Sequence, residues 1–170
     1  MSAAADPVPG AGPLETSLLF EVFAVNQAVG RLLAEAMADG PLTPAEYAVY
    51  SAIFELESGT PTALAARLGM RLTTFMDQLR LVEARGHARR VPNPVDRRSY
   101  RVVLTAEGRV AHRAANRLFE GAHRAFVEAL GEEERPRRLL RAMRAAADRA
   151  RADRAAGLGA SRRPSSAPAG

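Results

Sequence analysis

Apolar positions recur along most of the chain at roughly helical spacing. Leu18, Val22, Val25, Val29, Leu32 and Met37 predict a first helix over 14–38, which Gly40-Pro41 ends. Thr43-Pro44-Ala45-Glu46 then reads as a helix start. Thr43 can cap the first turn, Pro44 suits the first helical position, and Glu46 completes a capping box. This second helix carries Tyr47, Tyr50, Ile53, Phe54 and Leu56 and ends by Gly59. Thr60-Pro61 repeats the cap-then-proline signal and opens a short helix through Leu64, Ala65 and Leu68, stopped at Gly69. After a brief turn, a further helix runs from about Leu72 to Arg85 and closes at Gly86. A short helix, a tight turn and a second amphipathic helix make the pattern of a helix-turn-helix.

The pattern then changes period. Residues 87–91 and 99–104 alternate as short strands, with Tyr100, Val102 and Leu104 on one face and Arg101 and Val103 on the other. The turn-rich basic loop Pro92-Asn93-Pro94-Val95-Asp96-Arg97-Arg98 joins them, so a hairpin wing follows the helix-turn-helix. Thr105-Ala106-Glu107-Gly108 opens a long helix towards Leu130. A last helix follows Gly131 to about Ala156, with Glu132, Glu133 and Glu134 at its positive end. Pro136 requires that helix to start near Arg135 or to kink there. The fold class is mainly α with a small β-hairpin wing (α+β): a winged helix-turn-helix flanked by long helices. We expect one domain over 14–156, with its winged-helix lobe at 43–104. The stretches 1–13 and 157–170, rich in Ala, Gly, Pro and Ser, read as disordered tails. Arg162 and Arg163 in the second of these read either as phosphate contacts or as a solvated tail.

Charge sharpens the picture. All 24 basic residues are Arg, and their distribution is uneven. Residues 1–60 carry one Arg against eight Asp and Glu, whereas residues 61–113 carry eleven Arg against four. An acidic third followed by a basic middle suits a polyanionic partner; a GC-rich genome that writes Arg everywhere is the competing explanation. The chain has no Cys, which excludes disulfides, Cys-ligated zinc and thiol redox sensing and fits a cytoplasmic protein. Residues 1–13 do not read as a signal peptide, and no apolar run approaches the ~20 residues of a membrane span. There is no Gly-rich phosphate loop, nucleophile elbow or metal-ligand cluster, so we expect neither an enzyme nor a bound cofactor or metal. His112 and His123 stand about three turns apart on one helix, too far to share a metal.

On a helical wheel, Leu72, Phe75, Leu79 and Val82 turn towards the preceding helix, while Thr73, Thr74, Asp77, Arg80 and Leu81 turn away, with Arg71 just ahead of them. That outer face suits a major groove. The threonines can reach phosphates or base edges, Asp77 can accept from a cytosine amino group, and Arg80 can meet guanine or phosphate. The same face also reads as a solvated surface with Thr as local caps. On the wing, Arg97 and Arg98 sit at the hairpin tip, where a guanidinium can enter a narrow minor groove. Asp96 beside them can hold one guanidinium in a bidentate pair. Arg89, Arg90 and Arg101 on the strands add phosphate contacts. Two rival readings remain. A winged-helix adaptor that binds protein would present an apolar outer face, towards which Leu81 and Asp77 lean and against which Arg97 and Arg98 lean. RNA binding lacks an aromatic platform among the Arg residues.

From Leu42 to about Leu130 the sequence resembles the MarR family of bacterial regulators. The matching segments are LTPAEYAVYSAI at 42–53, LAARLG at 64–69, VEARG at 82–86 and RRVPNPVDRRSYRVVLTAEG at 89–108. The resemblance implies a transcriptional regulator, a repressor in type, working as a triangular homodimer on double-stranded DNA. Helices at 14–38 and 109–156 would interdigitate between subunits, including Leu139, Leu140 and Met143. Two lobes on a two-fold axis imply a pseudopalindromic operator. The resemblance maps Thr73 and Thr74 to the start of the recognition helix, and Arg97 and Arg98 to the minor-groove wing. It also implies a pocket for a small aromatic effector, with Phe20, Phe23, Tyr47, Tyr50, Phe54 and His112 as candidate lining; each also reads as ordinary core or interface packing. The chain departs from the family at Met76, where a small hydroxyl residue is usual, at Asp77, often Arg, and at Leu81, usually basic.

Overall fold

The computed structural model describes residues 17–57 and 59–161, the side chains of 157–161 excepted. Its elements run α1 (Leu18–Ala36), α2 (Pro44–Glu55), α3 (Pro61–Leu68), α4 (Leu72–Ala84), β1 (Ala88–Pro92), β2 (Tyr100–Leu104), α5 (Ala106–Leu130) and α6 (Glu134–Ser161). The expected tail at 1–13 lies outside the described residues. The expected tail at 157–170 begins too early, because α6 continues to Ser161. Pro136 sits in the first turn of α6, where its missing N–H breaks no helical bond.

The chain divides into two compact units at residue 123, within α5. The last buried side chain of α5 is Ala122, and from His123 to Leu130 the helix is exposed apart from a half-buried Val127. The first unit holds the winged helix; the second holds the end of α5 and α6.

Local signals place the elements of the first unit. Thr43 and Glu46 close the capping box reciprocally: Glu46 N–H donates to Thr43 Oγ1, and Thr43 N–H donates to the Glu46 carboxylate. Thr60 caps α3 through the Ala63 N–H, and Gly69 ends it in the left-handed conformation at φ 67°. Gly86 does the same after α4, at φ 72°. The strands pair antiparallel, with Arg90 opposite Val102 and Pro92 opposite Tyr100.

The core lies among α2, α3, α4 and the hairpin. Tyr50, Phe75, Ile53, Leu64, Leu79, Val49 and Val102 are its largest fully buried side chains. Burial of such side chains stabilises by on the order of 1.5–3 kcal/mol each. Of the four residues expected to dock α4, Phe75, Leu79 and Val82 are buried, but Leu72 is 45% exposed. Leu72 is the first residue of the helix and stands a turn short of the point where Phe75 meets the core. Met37 and Leu42 anchor the end of α1, while Leu18, Leu19, Phe23 and Val25 stand exposed along it and the helix buries no residue.

Candidate nucleic-acid interface

The interface is built on α4 and the hairpin, which pack against each other and against the same core. Three buried residues fix which face of α4 turns outward. Thr73, Thr74, Asp77, Arg80 and Leu81 are all exposed on that outer face, as the wheel requires. Arg71 occupies the N-cap position without a side-chain cap bond, so its guanidinium is not used to hold the helix start. Asp77 and Arg80 are not independent, since Arg80 Nη1 donates to Asp77 Oδ1 at 2.5 Å with both side chains about two-thirds exposed.

The wing loop is ordered by a residue the sequence reading passed over. Asn93 is 8% exposed; its Nδ2 donates to Ser99 Oγ at 2.7 Å, and its Oδ1 accepts from Val95 N–H and from Arg101 Nε. The Pro92-Asn93-Pro94 run was the available signal, because Asn favours turns through such side-chain to backbone bonds. Asp96 acts differently from expectation. Its carboxylate accepts the backbone N–H of Arg98 at 3.0 Å, and its carbonyl accepts from the Ser99 N–H and hydroxyl. It shapes the turn through the main chain instead of clamping a guanidinium, because a short side chain meets the N–H two residues on first.

The arginines therefore separate into groups. Arg97 and Arg98 are exposed at the tip, and no acid pairs with either among the described residues. Arg89 is exposed on β1. Arg101 is half-buried and held by Asn93. Arg90 is committed elsewhere. It donates through Nε and Nη2 to the two oxygens of Glu83 at 2.7 and 2.9 Å, and its guanidinium lies 4.6 Å from the Tyr100 ring centroid. Sequence alone offered no sign of that seven-residue pairing, which exists only once the hairpin folds back onto α4.

Behind the wing, Tyr50 and His87 join the core to the turn between α4 and β1: Tyr50 Oη lies 2.9 Å from His87 Nδ1, with the rings edge to face. Arg85 bridges to Glu46 at 2.6 Å. Burial opposes the charged form of Glu46, but the Thr43 and Arg85 hydrogen bonds prevail and hold its carboxyl below the usual value.

The candidate pocket residues are only partly brought together. Tyr47 stacks on His112 with centroids 5.5 Å apart, and Phe54 tilts against the same ring at 4.8 Å. With Ser51, Glu55, Arg113 and Asn116 they line a cleft of about 260 Å³. Phe20 and Phe23 do not line it; they stand exposed on α1, 6.4 Å apart. Tyr50 does not line it either, being turned to His87 instead. His112 is 6% exposed; Nε2 lies 3.1 Å from Ser51 Oγ and Nδ1 has no hydrogen-bond partner among the described residues. Burial pushes its pKa down, favouring the neutral ring. With the proton on Nε2 and donated to Ser51, the orphan is a lone pair rather than an N–H, the less costly of the two tautomers. No group of three or more His, Cys, Asp or Glu among the described residues is arranged to hold a metal ion.

A helix, a tight turn, an outward-facing second helix and a hairpin packed against it define a winged helix-turn-helix protein. No family model matches the sequence. In the transcriptional repressor CouR bound to a 23-mer DNA duplex, the same fold recurs with 28% identity and a TM-score of 0.66, covering 81% of this chain and 96% of that one. The M. tuberculosis transcriptional regulator MosR in complex with DNA matches with 26% identity and a TM-score of 0.69, over 79% of this chain and 98% of that one. MarR from E. coli matches with 28% identity and a TM-score of 0.60, over 75% and 96%. These structural neighbours are MarR-family regulators, and the chain is similar to them in fold and sequence. Among curated proteins, the HTH-type transcriptional regulator TtmR of Methylorubrum extorquens (strain PA1) is 32% identical over 96 residues, 56% of this chain and 49% of that protein. The chain thus matches about half the length of that relative.

Proposed function

We propose that the protein is a sequence-specific DNA-binding transcriptional regulator, a repressor in type, that acts as a homodimer on a pseudopalindromic operator and is not an enzyme. The observation that carries this is the pairing, on one compact unit, of an exposed α4 start bearing Thr73 and Thr74 with a wing tip whose Arg97 and Arg98 meet no acid among the described residues. The first suits a major groove and the second a minor groove. DNA-bound CouR and MosR, both above 25% identity, support the same reading. The exposed apolar residues of α1 support a second copy of the chain as the partner that covers them, which would set two half-sites about one helical turn apart.

The cleft at Tyr47, Phe54 and His112 suits a small aromatic effector. An aromatic ring fits its apolar walls, and the polar side chains of Ser51, Glu55 and Asn116 can orient a polar substituent on that ring. Such a ligand would act by favouring a lobe spacing that mismatches the half-sites.

One observation favours a second reading. Leu72 and Leu81 leave two apolar side chains exposed on α4, 45% and 54% respectively, as a protein-docking adaptor would require. Retardation of a random duplex pool at several salt concentrations, followed by sequencing of the bound fraction, separates the two. A regulator recovers a recurring motif and weakens steeply with salt. An adaptor ignores duplex DNA even at low salt.

A further inference from the structure

The hairpin is tied to α4 at two places through a closed set of side chains. Arg90 of β1 spends two donors on Glu83 of α4 in a bidentate pair. The same guanidinium covers the ring of Tyr100 on β2. The hydroxyl of Tyr100 in turn donates to the sulfur of Met76, back on α4, at 3.8 Å. We propose that Glu83, Arg90, Tyr100 and Met76 form a brace that fixes the angle of the wing against the recognition helix, making Arg90 a positioning residue and not a phosphate contact. The proposal rests on the DNA-binding reading above.

The geometry suits that task. Glu83 and Met76 lie seven residues apart, about two turns or roughly 10 Å along one face of the helix. Two attachment points so separated resist pivoting, which one would not. A half-exposed ion pair contributes little stability by itself. A bidentate pair backed by an aromatic ring, however, specifies direction, because the planar guanidinium must satisfy both partners at once. Tyr100 pairs with Pro92 at the end of the hairpin from which the loop of Arg97 and Arg98 springs, so the brace acts where the tip is aimed. It also accounts for Met76, one of the chain's departures from the family it resembles: a long thioether reaches the tyrosine hydroxyl from a position where a small hydroxyl residue would fall short. The pair with Glu83 spends two of the five guanidinium donors of Arg90 and offsets its charge, so Arg90 has less to offer a phosphate than Arg97 or Arg98.

The test uses the full chain, Arg90→Met, Glu83→Gln, their double variant and Arg98→Ala. In free protein, amide exchange across 92–101 should quicken about tenfold in Arg90→Met and in Glu83→Gln, with no further gain in the double variant and no change at Leu79. Unaltered exchange in the wing overturns the brace. On duplexes recovered by selection, both single variants should bind about tenfold more weakly with the wild-type dependence on salt, whereas Arg98→Ala should reduce the log–log salt slope by about one. If Arg90→Met instead lowers that slope by about one while Glu83→Gln tightens binding, Arg90 is a phosphate contact and the brace is wrong. If the wild-type chain prefers no duplex, the DNA-binding reading fails, and the exchange measurement alone still decides whether the brace exists.

Discussion

Gly108 lies so close to the carbonyl of His87 that a β-carbon on it would fall 2.0 Å from the oxygen. The same oxygen accepts the N–H of Thr105, whose hydroxyl donates to the Gly86 carbonyl and accepts the N–H of Gly108. The start of α5 is thereby knotted to the turn that launches the wing. Gly108→Ala forces backbone apart from backbone and should cost about 3 kcal/mol, the upper end of overpacking. Denaturant unfolding checks this, and an unshifted midpoint would contradict the close approach.

Asp96 separates two ways of stiffening a wing. Its carboxylate receives the Arg98 N–H and no guanidinium. Asp96→Asn keeps an acceptor in place and should bind duplex almost as the wild type does, while Asp96→Ala should lose about as much affinity as Arg98→Ala. Equal damage from both substitutions would restore the guanidinium clamp.

Arg98→Ala should weaken binding to a selected duplex by about 1–3 kcal/mol if its side chain enters the minor groove. Titration of labelled duplex measures this directly. Unchanged affinity would remove Arg98 from the interface.

Protonation of His112 bears on stability with a defined sign. Burial lowers its folded pKa from 6.5, so between the folded and unfolded values the unfolded chain binds the extra proton. Its contribution is complete above about pH 6.5 and is lost as pH falls towards the folded value. Glu46 behaves alike in a lower window: its folded pKa lies below 4.5, and its contribution fades under further acidification. Unfolding midpoints across pH 3 to 8, for wild type, His112→Gln and Glu46→Gln, should flatten in these respective ranges. A His112→Gln profile parallel to wild type would refute the buried neutral ring.

Removal of residues 1–30 takes away most of the exposed apolar stretch of α1 and should leave a monomer with poor duplex affinity. Light scattering gives the mass. A truncated chain that remains dimeric would move the subunit interface elsewhere.

What the sequence disclosed depended on range. The capping box of Thr43 and Glu46, the helix stops at Gly69 and Gly86, and the period change at the hairpin are interactions within a few residues, and all could be read from spacing. Phe75, Leu79 and Val82 were legible because burial repeats with the helix, whereas Leu72 shares their phase but not their neighbours. Arg90 looked like its neighbours Arg89 and Arg97 until the folded hairpin brought it to Glu83. Phe20 and Phe23 carried the same aromatic signature as Tyr47 and Phe54, and only the packing of α2 against α5 shows which of them surround His112. Charge type is written in the sequence, but what each charge spends itself on is decided by tertiary structure.

Glu46 illustrates a consequence of economy. One of its oxygens receives the main chain and hydroxyl of Thr43 at the beginning of α2, while the other receives Arg85 at the end of α4. Two helix termini far apart in sequence thus share one anchor. Fraying at either terminus loosens its hold on the other, so the two should melt as a single cooperative segment even though no backbone hydrogen bond joins them.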